Sequence, residues 1–200
     1  TKGFGFSGEA NADILSSKFG VGNAKFRTGS EGEFVDTVPF GTFRREIFDK
    51  IGMFDVDLPR SEDNDFNSRI RKNGGKVYLS PDIKFIYYCT DSFSGLLNQG
   101  LKNGNALFLT LRKNPKAMSL RHFIPFCFLL SLIVLPIISI FLNFFWYIFA
   151  TEMALYTLLN IIFSLKGKKK FFFYKFIVYP LFHIVYGIGS FIGLIGIKLY

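Results

Sequence analysis

Apolar positions along this 200-residue chain fall into two regimes that meet near Arg121. Up to that point they are interleaved with charge and punctuated by glycine; beyond it they run almost unbroken. Three runs, about 122–142, 144–165 and 176–197, are long enough to cross a hydrocarbon core of about 30 Å as helices. Asn143 alone separates the first two, so they form a tight hairpin. Ahead of them, Phe93, Leu96, Leu97, Leu101, Leu107, Phe108 and Leu111 recur at helical spacing, with Gly100 and Gly104 on the same side. Asn98, Gln99, Lys102, Asn103 and Asn105 take the opposite face, and Ser92 or Asp91 caps the start. Arg112, Lys113, Lys116 and Arg121 follow directly, so this helix is expected to lie in the headgroup plane.

The earlier part reads as short elements. Residues 1–35 are rich in Gly, Ser and charge (Gly20-Val21-Gly22-Asn23, then Thr28-Gly29-Ser30-Glu31-Gly32) and are expected to be mostly loop, with one short helix over Ala10–Ser16. They hold no dinucleotide or P-loop glycine spacing. A strand is expected over Glu33–Phe40, closed by Pro39 and Gly41, then a helix over Arg44–Ile51 ended by Gly52. Val77–Leu79 and Ile83–Tyr88 are further runs of strand length. Before them, Arg60–Gly75 forms a helical pattern with Phe66 and Ile70 on one face. Its acids Glu62, Asp63 and Asp65 precede its cations Arg69, Arg71 and Lys72, as the helix dipole favours. Three carboxylates within four residues exceed what a dipole needs, and that excess points to function.

Charge then decides orientation. In residues 1–121, 18 Lys and Arg stand against 14 Asp and Glu; beyond, 6 stand against 1, for a net +9. A nucleic-acid partner is not expected, because the densest basic run, Lys166–Lys170, lies between two apolar segments rather than on a folded face. By the positive-inside rule residues 1–121 and that loop are cytoplasmic and the C-terminus is outside, in a multi-pass cell (inner) membrane protein. Cys89 and Cys127 have no metal-ligand spacing and read as buried thiols in a reducing compartment. Glu152 and His183 are the ionisable residues within the spans, at different depths, so each is expected to make its own structural polar contact. Gly189 and Gly193 have the spacing of close helix packing. With no initiator Met and no signal-peptide pattern, the chain is expected to begin inside a longer protein.

Several stretches, in order, carry a family resemblance. Val35-Asp36-Thr37-Val38-Pro39-Phe40-Gly41 comes first, then Arg45-Glu46-Ile47-Phe48-Asp49-Lys50-Ile51-Gly52-Met53-Phe54-Asp55. Glu62-Asp63-Asn64-Asp65-Phe66-Asn67-Ser68-Arg69-Ile70-Arg71 and Gly74-Gly75-Lys76-Val77-Tyr78-Leu79-Ser80-Pro81 complete them. Together they resemble the second half of a family 2 glycosyltransferase, and the membrane tail with the helix around Gln99 resembles the succinoglycan-type exopolysaccharide glucosyltransferases. The resemblance implies an α/β fold: the C-terminal half of a GT-A, Rossmann-like domain (residues 1–91, acceptor side), an amphipathic interfacial helix and basic linker (92–121), and three transmembrane helices (122–200). It implies a nucleotide sugar donor, a glycan or lipid-linked acceptor, inversion at the anomeric carbon, and a lipid bilayer as partner. Asp63 would be the general base beside Glu62, with Asp65, Arg69 and Gln99 as acceptor contacts. A base is needed because a sugar hydroxyl is a poor nucleophile until its proton is taken during attack.

Two departures limit what carries over. The family's Asp-x-Asp, which holds a divalent cation (Mg or Mn) on the donor diphosphate, does not occur in residues 1–50, and Asp55-Val56-Asp57 falls in the wrong half. The cation is therefore expected for the intact enzyme, with ligands outside this chain, and the chain alone is expected to be inactive. Gln99-Gly100-Leu101-Lys102-Asn103 also lacks the Arg-Trp of processive relatives. The competing reading is a non-catalytic membrane scaffold or partner-binding remnant. A transporter built on Glu152 and His183 lacks polar residues to line a path.

Overall fold

Glycine content hides a well-packed start. In the computed structural model, which describes residues 1–29 and 31–200, helix α1 spans Gly5–Leu15 rather than beginning near Ala10. Ala10, Ile14 and Leu15 are buried, and the fully buried Asn11 donates to the carbonyls of Thr90 (2.8 Å) and Ser92 (3.1 Å) while accepting from Tyr174 Oη. Local propensity is weak here, and burial of one face supplies the helix. The short helices α2 (Lys18–Val21) and α3 (Lys25–Thr28) follow. Much of the expected loop is therefore helical. Of Thr28–Gly32, Ser30 lies outside the described residues.

Strands β1 (Glu33–Phe34) and β2 (Tyr78–Leu79) pair antiparallel, with Glu33 opposite Leu79 and Phe34 opposite Tyr78. They are the regular strands of the described residues, so the Rossmann-like sheet implied by the resemblance is not seen here. The rest of the 33–40 run has one further ladder bond, Val35 N–H to Val77 O, before Pro39 ends it. Ile83–Tyr88 is not a strand: it offers a single bridge, Lys2 beside Tyr88. Extended residues become strand only where a neighbouring chain accepts their hydrogen bonds. Helices α4 (Arg45–Ile51) and α5 (Glu62–Lys72) stand as expected. Phe66 of α5 is fully buried among the rings of Phe54 (4.5 Å), Phe43 (4.8 Å) and Phe48 (5.2 Å). That aromatic cluster aims the first turn of α5.

Helix α6 (Phe93–Lys113) starts where Ser92 Oγ accepts from Gly95 N–H at 3.0 Å. Three long apolar helices follow: α7 (Ile124–Phe141), α8 (Phe144–Leu165) and, after a 3-10 turn at Lys169–Phe171, α9 (Phe172–Leu194). All three are long and apolar enough to cross a membrane, the third counted from Lys169. Gly189 and Gly193 do mediate close packing, but their partner is α6: a Cβ on either would strike the backbone of Leu101 or Asn105, and one on Gly104 would strike Tyr186 O. Burial therefore departs from the amphipathic pattern. Asn105, expected on the polar face, is fully buried, donates to Ile197 O (2.8 Å) and accepts from Leu199 N–H (3.1 Å). Cys89 is buried against Gly8 O, whereas Cys127 is exposed on α7, contrary to the expectation of two buried thiols.

Candidate active site

The start of α5 opens onto a cavity of about 750 Å³. Its rim is polar: Arg60, Ser61, Glu62, Asp63 and Asn64 from the α5 start, Gln99 and Asn103 from α6, and Arg27, Arg121 and His122. Its floor is apolar and belongs to the long helices, through Phe128, Tyr156, Leu159, Phe182 and Tyr186, with Phe19 of α2. One space thus joins a charged mouth to a greasy interior.

Asp63 sits at that mouth between two residues in the left-handed region, Phe40 (φ 53°) and Ser61 (φ 63°). Non-glycine residues there are strained and persist only where the surroundings hold them, a condition common at working sites. Burial, then the neighbouring charge of Glu62, push the Asp63 carboxyl up to about 6, against the pull of the Phe40 backbone N–H. A carboxylate with that affinity is still ionised at neutral pH and is better matched to accepting a proton than an exposed one. Behind the rim residue Arg121, burial raises Asp36, but the Ser119 hydroxyl and Arg121 guanidinium (2.7 Å) outweigh it and hold it below the ordinary range. His122 is pushed down by burial and by Arg121, so it is neutral at pH 7.

The residues named from sequence divide. Glu62, Asp63 and Gln99 line the cavity, and Gln99 donates to Tyr87 Oη at 3.0 Å. Asp65 and Arg69 do not line it. Asp65 is 4% exposed and held by Asn114 Nδ2 (2.8 Å) and Arg69 Nε (2.9 Å). Arg69 spends its remaining donors on the carbonyls of Ile51 (2.6 Å) and Met53 (2.8 Å), below the α4 terminus. The pair is a brace for α5 rather than an acceptor contact. Arg69→Ala is expected to destabilise the protein by about 2–4 kcal/mol. Arg69→Lys should not restore it, because a lysine cannot make the forked contact; chemical denaturation of both variants checks this.

Arg27, Arg121 and His122 escaped functional notice, the first because residues 1–35 read as loop, the second because it read as membrane-edge charge and the third because it opened the first apolar run. Glu152 and His183 stay apart, as expected. Glu152 accepts from Ser131 Oγ at 2.6 Å. His183 faces Phe19 O through Nε2 (2.8 Å) and Tyr156 Oη through Nδ1 (2.9 Å). A carbonyl only accepts, so Nε2 carries the proton and Nδ1 accepts from the tyrosine.

The divalent cation implied by the resemblance does not fit here: no three metal-binding side chains cluster among the described residues, and Asp55 and Asp57 are both engaged by Lys113 at 2.8 and 2.9 Å.

Comparison with known proteins finds two relatives. The chain is 29% identical over 185 residues to the dolichyl N-acetyl-alpha-D-glucosaminyl phosphate 3-beta-D-2,3-diacetamido-2,3-dideoxy-beta-D-glucuronosyltransferase of Methanococcus voltae, covering 92% of this chain and 55% of that protein. It is 26% identical over 125 residues to the succinoglycan biosynthesis protein ExoA of Rhizobium meliloti (strain 1021), covering 62% of this chain and 38% of that protein. Curated homologues of the chain are glycosyltransferases. The succinoglycan-type resemblance read from its motifs is borne out. The chain spans about half the length of the first relative and less of the second. No protein-family model matches it, and no solved structure does.

Proposed function

We propose that the chain is the acceptor-side part of a membrane-bound, inverting, GT-A glycosyltransferase of family 2 type that glycosylates a lipid-linked acceptor. One observation carries the reading: the half-buried Asp63 stands where the polar rim of the cavity meets an apolar floor made by the long helices. A sugar placed at the rim would present its hydroxyl to Asp63. A lipid tail would find hydrocarbon company on Phe128, Leu159 and Phe182, and a linking phosphate would find Arg27 or Arg121 at the mouth. The Methanococcus voltae relative is named for a dolichyl-linked acceptor, which supports the same choice.

In the proposed step the acceptor oxygen attacks the anomeric carbon of a nucleotide sugar, the bond from that carbon to the diphosphate breaks, and the acceptor proton passes to Asp63. Glu62 keeps Asp63 basic through its charge. Residues 1–121 face the cytoplasm, where nucleotide sugars are supplied, because basic residues precede α7 and fill the loop after α8. The diphosphate and any cation on it belong to the half of the protein that this chain does not cover.

The test is transfer of labelled sugar by the full-length parent to a phosphate-linked sugar on a polyisoprenyl chain, against the same sugar without lipid. The lipid-linked form is expected to react with kcat/KM about 100-fold higher or more. Equal use of both sugars would remove the lipid from the reading, and transfer to neither would favour a non-catalytic scaffold. The 200-residue chain alone is expected to transfer nothing.

A further inference from the structure

The burial of α9 sets it apart from α7 and α8. In the most apolar stretch of α7 and of α8, 11% of residues are buried; in that of α9 the share is 44%. The company it keeps is α6, which runs alongside it in the same direction: Leu96 packs near Val178 and Tyr179, Gly104 meets Tyr186, and Arg112 Nη2 reaches Leu194 O at 2.5 Å. Helix α6 carries Lys102, Arg112, Lys113 and several amides, and it is not among the candidate spans of the described residues.

Both ends of α9 are also held by the polar part of the chain. At its start Lys168 pairs with Glu9 (2.7 Å), and the buried Lys175 pairs with Asp13 (3.4 Å), both acids on α1. At its end lies the C-terminus of α6, whose Lys113 pairs with Asp55 (2.8 Å) and whose neighbour Asn114 holds Asp65. No candidate span lies between Asp13 and Asp55 among the described residues, so α1 and the α4–α5 region share one side of the bilayer. A 23-residue helix is about 35 Å long. Were α9 to cross, it would carry α6 and its charges into hydrocarbon, or set α1 and α5 on opposite faces. The second is forbidden by connectivity, and the first would bury several charges and amides at a cost of several kcal/mol.

We infer that α9 does not cross the membrane. It lies along the cytoplasmic leaflet with α6 on its inner side, and only the α7–α8 hairpin spans. Its exposed residues fit a lipid surface: Phe173, Ile177, Ile188 and Phe191 fall on one stripe at helical spacing, opposite Phe182, Gly189 and Gly193. Lys169 and Lys170 at one end and Lys198 just beyond the other place cations where anionic headgroups would meet them. Two crossings return residues 166–200 to the cytoplasmic side, in place of the external C-terminus expected from three runs of equal length.

Single-cysteine variants of the parent protein in intact cells test this with a membrane-impermeant maleimide, in a Cys89→Ser, Cys127→Ala background. Asn143→Cys, in the α7–α8 turn, should label from outside; Lys198→Cys should label only after permeabilisation. Labelling of the Lys198→Cys variant from outside would overturn the inference, as would protection of the Asn143→Cys variant. A second measurement leaves the cysteines native. Tryptophan is placed by Ile177→Trp, Ile184→Trp or Phe191→Trp in a Trp146→Phe chain. The variants are reconstituted in phosphatidylethanolamine–phosphatidylglycerol vesicles with brominated acyl chains. A helix lying flat gives three equal quenching depths near the surface. A maximum at the Ile184→Trp variant, with shallower values on either side, would mean that α9 spans.

Discussion

Asp63→Asn is expected to lower sugar transfer by the full-length parent by about 100- to 10,000-fold, the usual contribution of a positioned general base. The same change should leave the protein more stable, because of the sign of the shift at Asp63. Its carboxyl is raised from 3.8 to about 6 in the folded chain, so the folded state binds more protons than the unfolded state between those values. Stability attached to this group is therefore full below pH 3.8 and is lost as pH rises through about 6. At pH 7–8 the neutral amide escapes that penalty, and a gain of about 1 kcal/mol is expected after allowing for solvent screening of a half-exposed group. Wild-type transfer should fall as pH drops below about 6, with protonation of Asp63. Thermal unfolding and a pH–rate profile on the two proteins check both halves. Lower stability of the Asp63→Asn variant would overturn the raised carboxyl, and full turnover would remove Asp63 from the base role.

Gly189→Val is the largest structural effect expected outside the cavity. A Cβ there would meet Leu101 O and Asn105 N, which are helix backbone and have no rotamer to yield. Either α6 and α9 separate along their length or the helix distorts, and a loss of about 2–4 kcal/mol follows. Ile188→Val, one residue away and 40% exposed, should change stability by less than about 0.5 kcal/mol. Unfolding in detergent, followed by the circular dichroism of both variants, separates the outcomes. Because α6 also carries Gln99 and Asn103 at the cavity rim, the Gly189→Val variant should lose activity well below its unfolding midpoint.

The legible elements were those whose signal is local. The α5 helix was written in its acids, its cations and the Phe66–Ile70 pair, and α7 and α8 in uninterrupted apolar runs. Asp63 was legible as one acid in an excess of acids, and the motif around it singled it out. Elements that depend on distant partners were not legible. Helix α1 exists because Asn11 and Ile14 have Thr90, Ser92 and α9 to pack against, some 80 residues or more away in the chain. The 83–88 run failed as a strand for the converse reason, since only Lys2 takes up its backbone, in a single bridge. Asp65 and Arg69 carry the same charges as their neighbours in sequence, and only the turn of the helix sends them to Asn114 and Ile51 instead of the cavity. The destiny of Asn105 depended on Gly193, whose pairing with α6 no periodicity could announce.

The backbone contact between α6 and α9 has a consequence for where the proposed transfer would happen. No side chain lies between the two helices at Gly189 and Gly193, so they shift as one body. Arg60 ties the entrance of α5 to this body through Asn103 at 2.7 Å, three residues from Asp63. On the proposed function the glycines would act as a ruler, setting the altitude of the reacting hydroxyl above the lipid headgroups whatever the thickness of the bilayer beneath. If the proposed lipid-linked acceptor is used, one whose sugar rides higher or lower than that altitude would be refused by length before any of its hydroxyls is inspected.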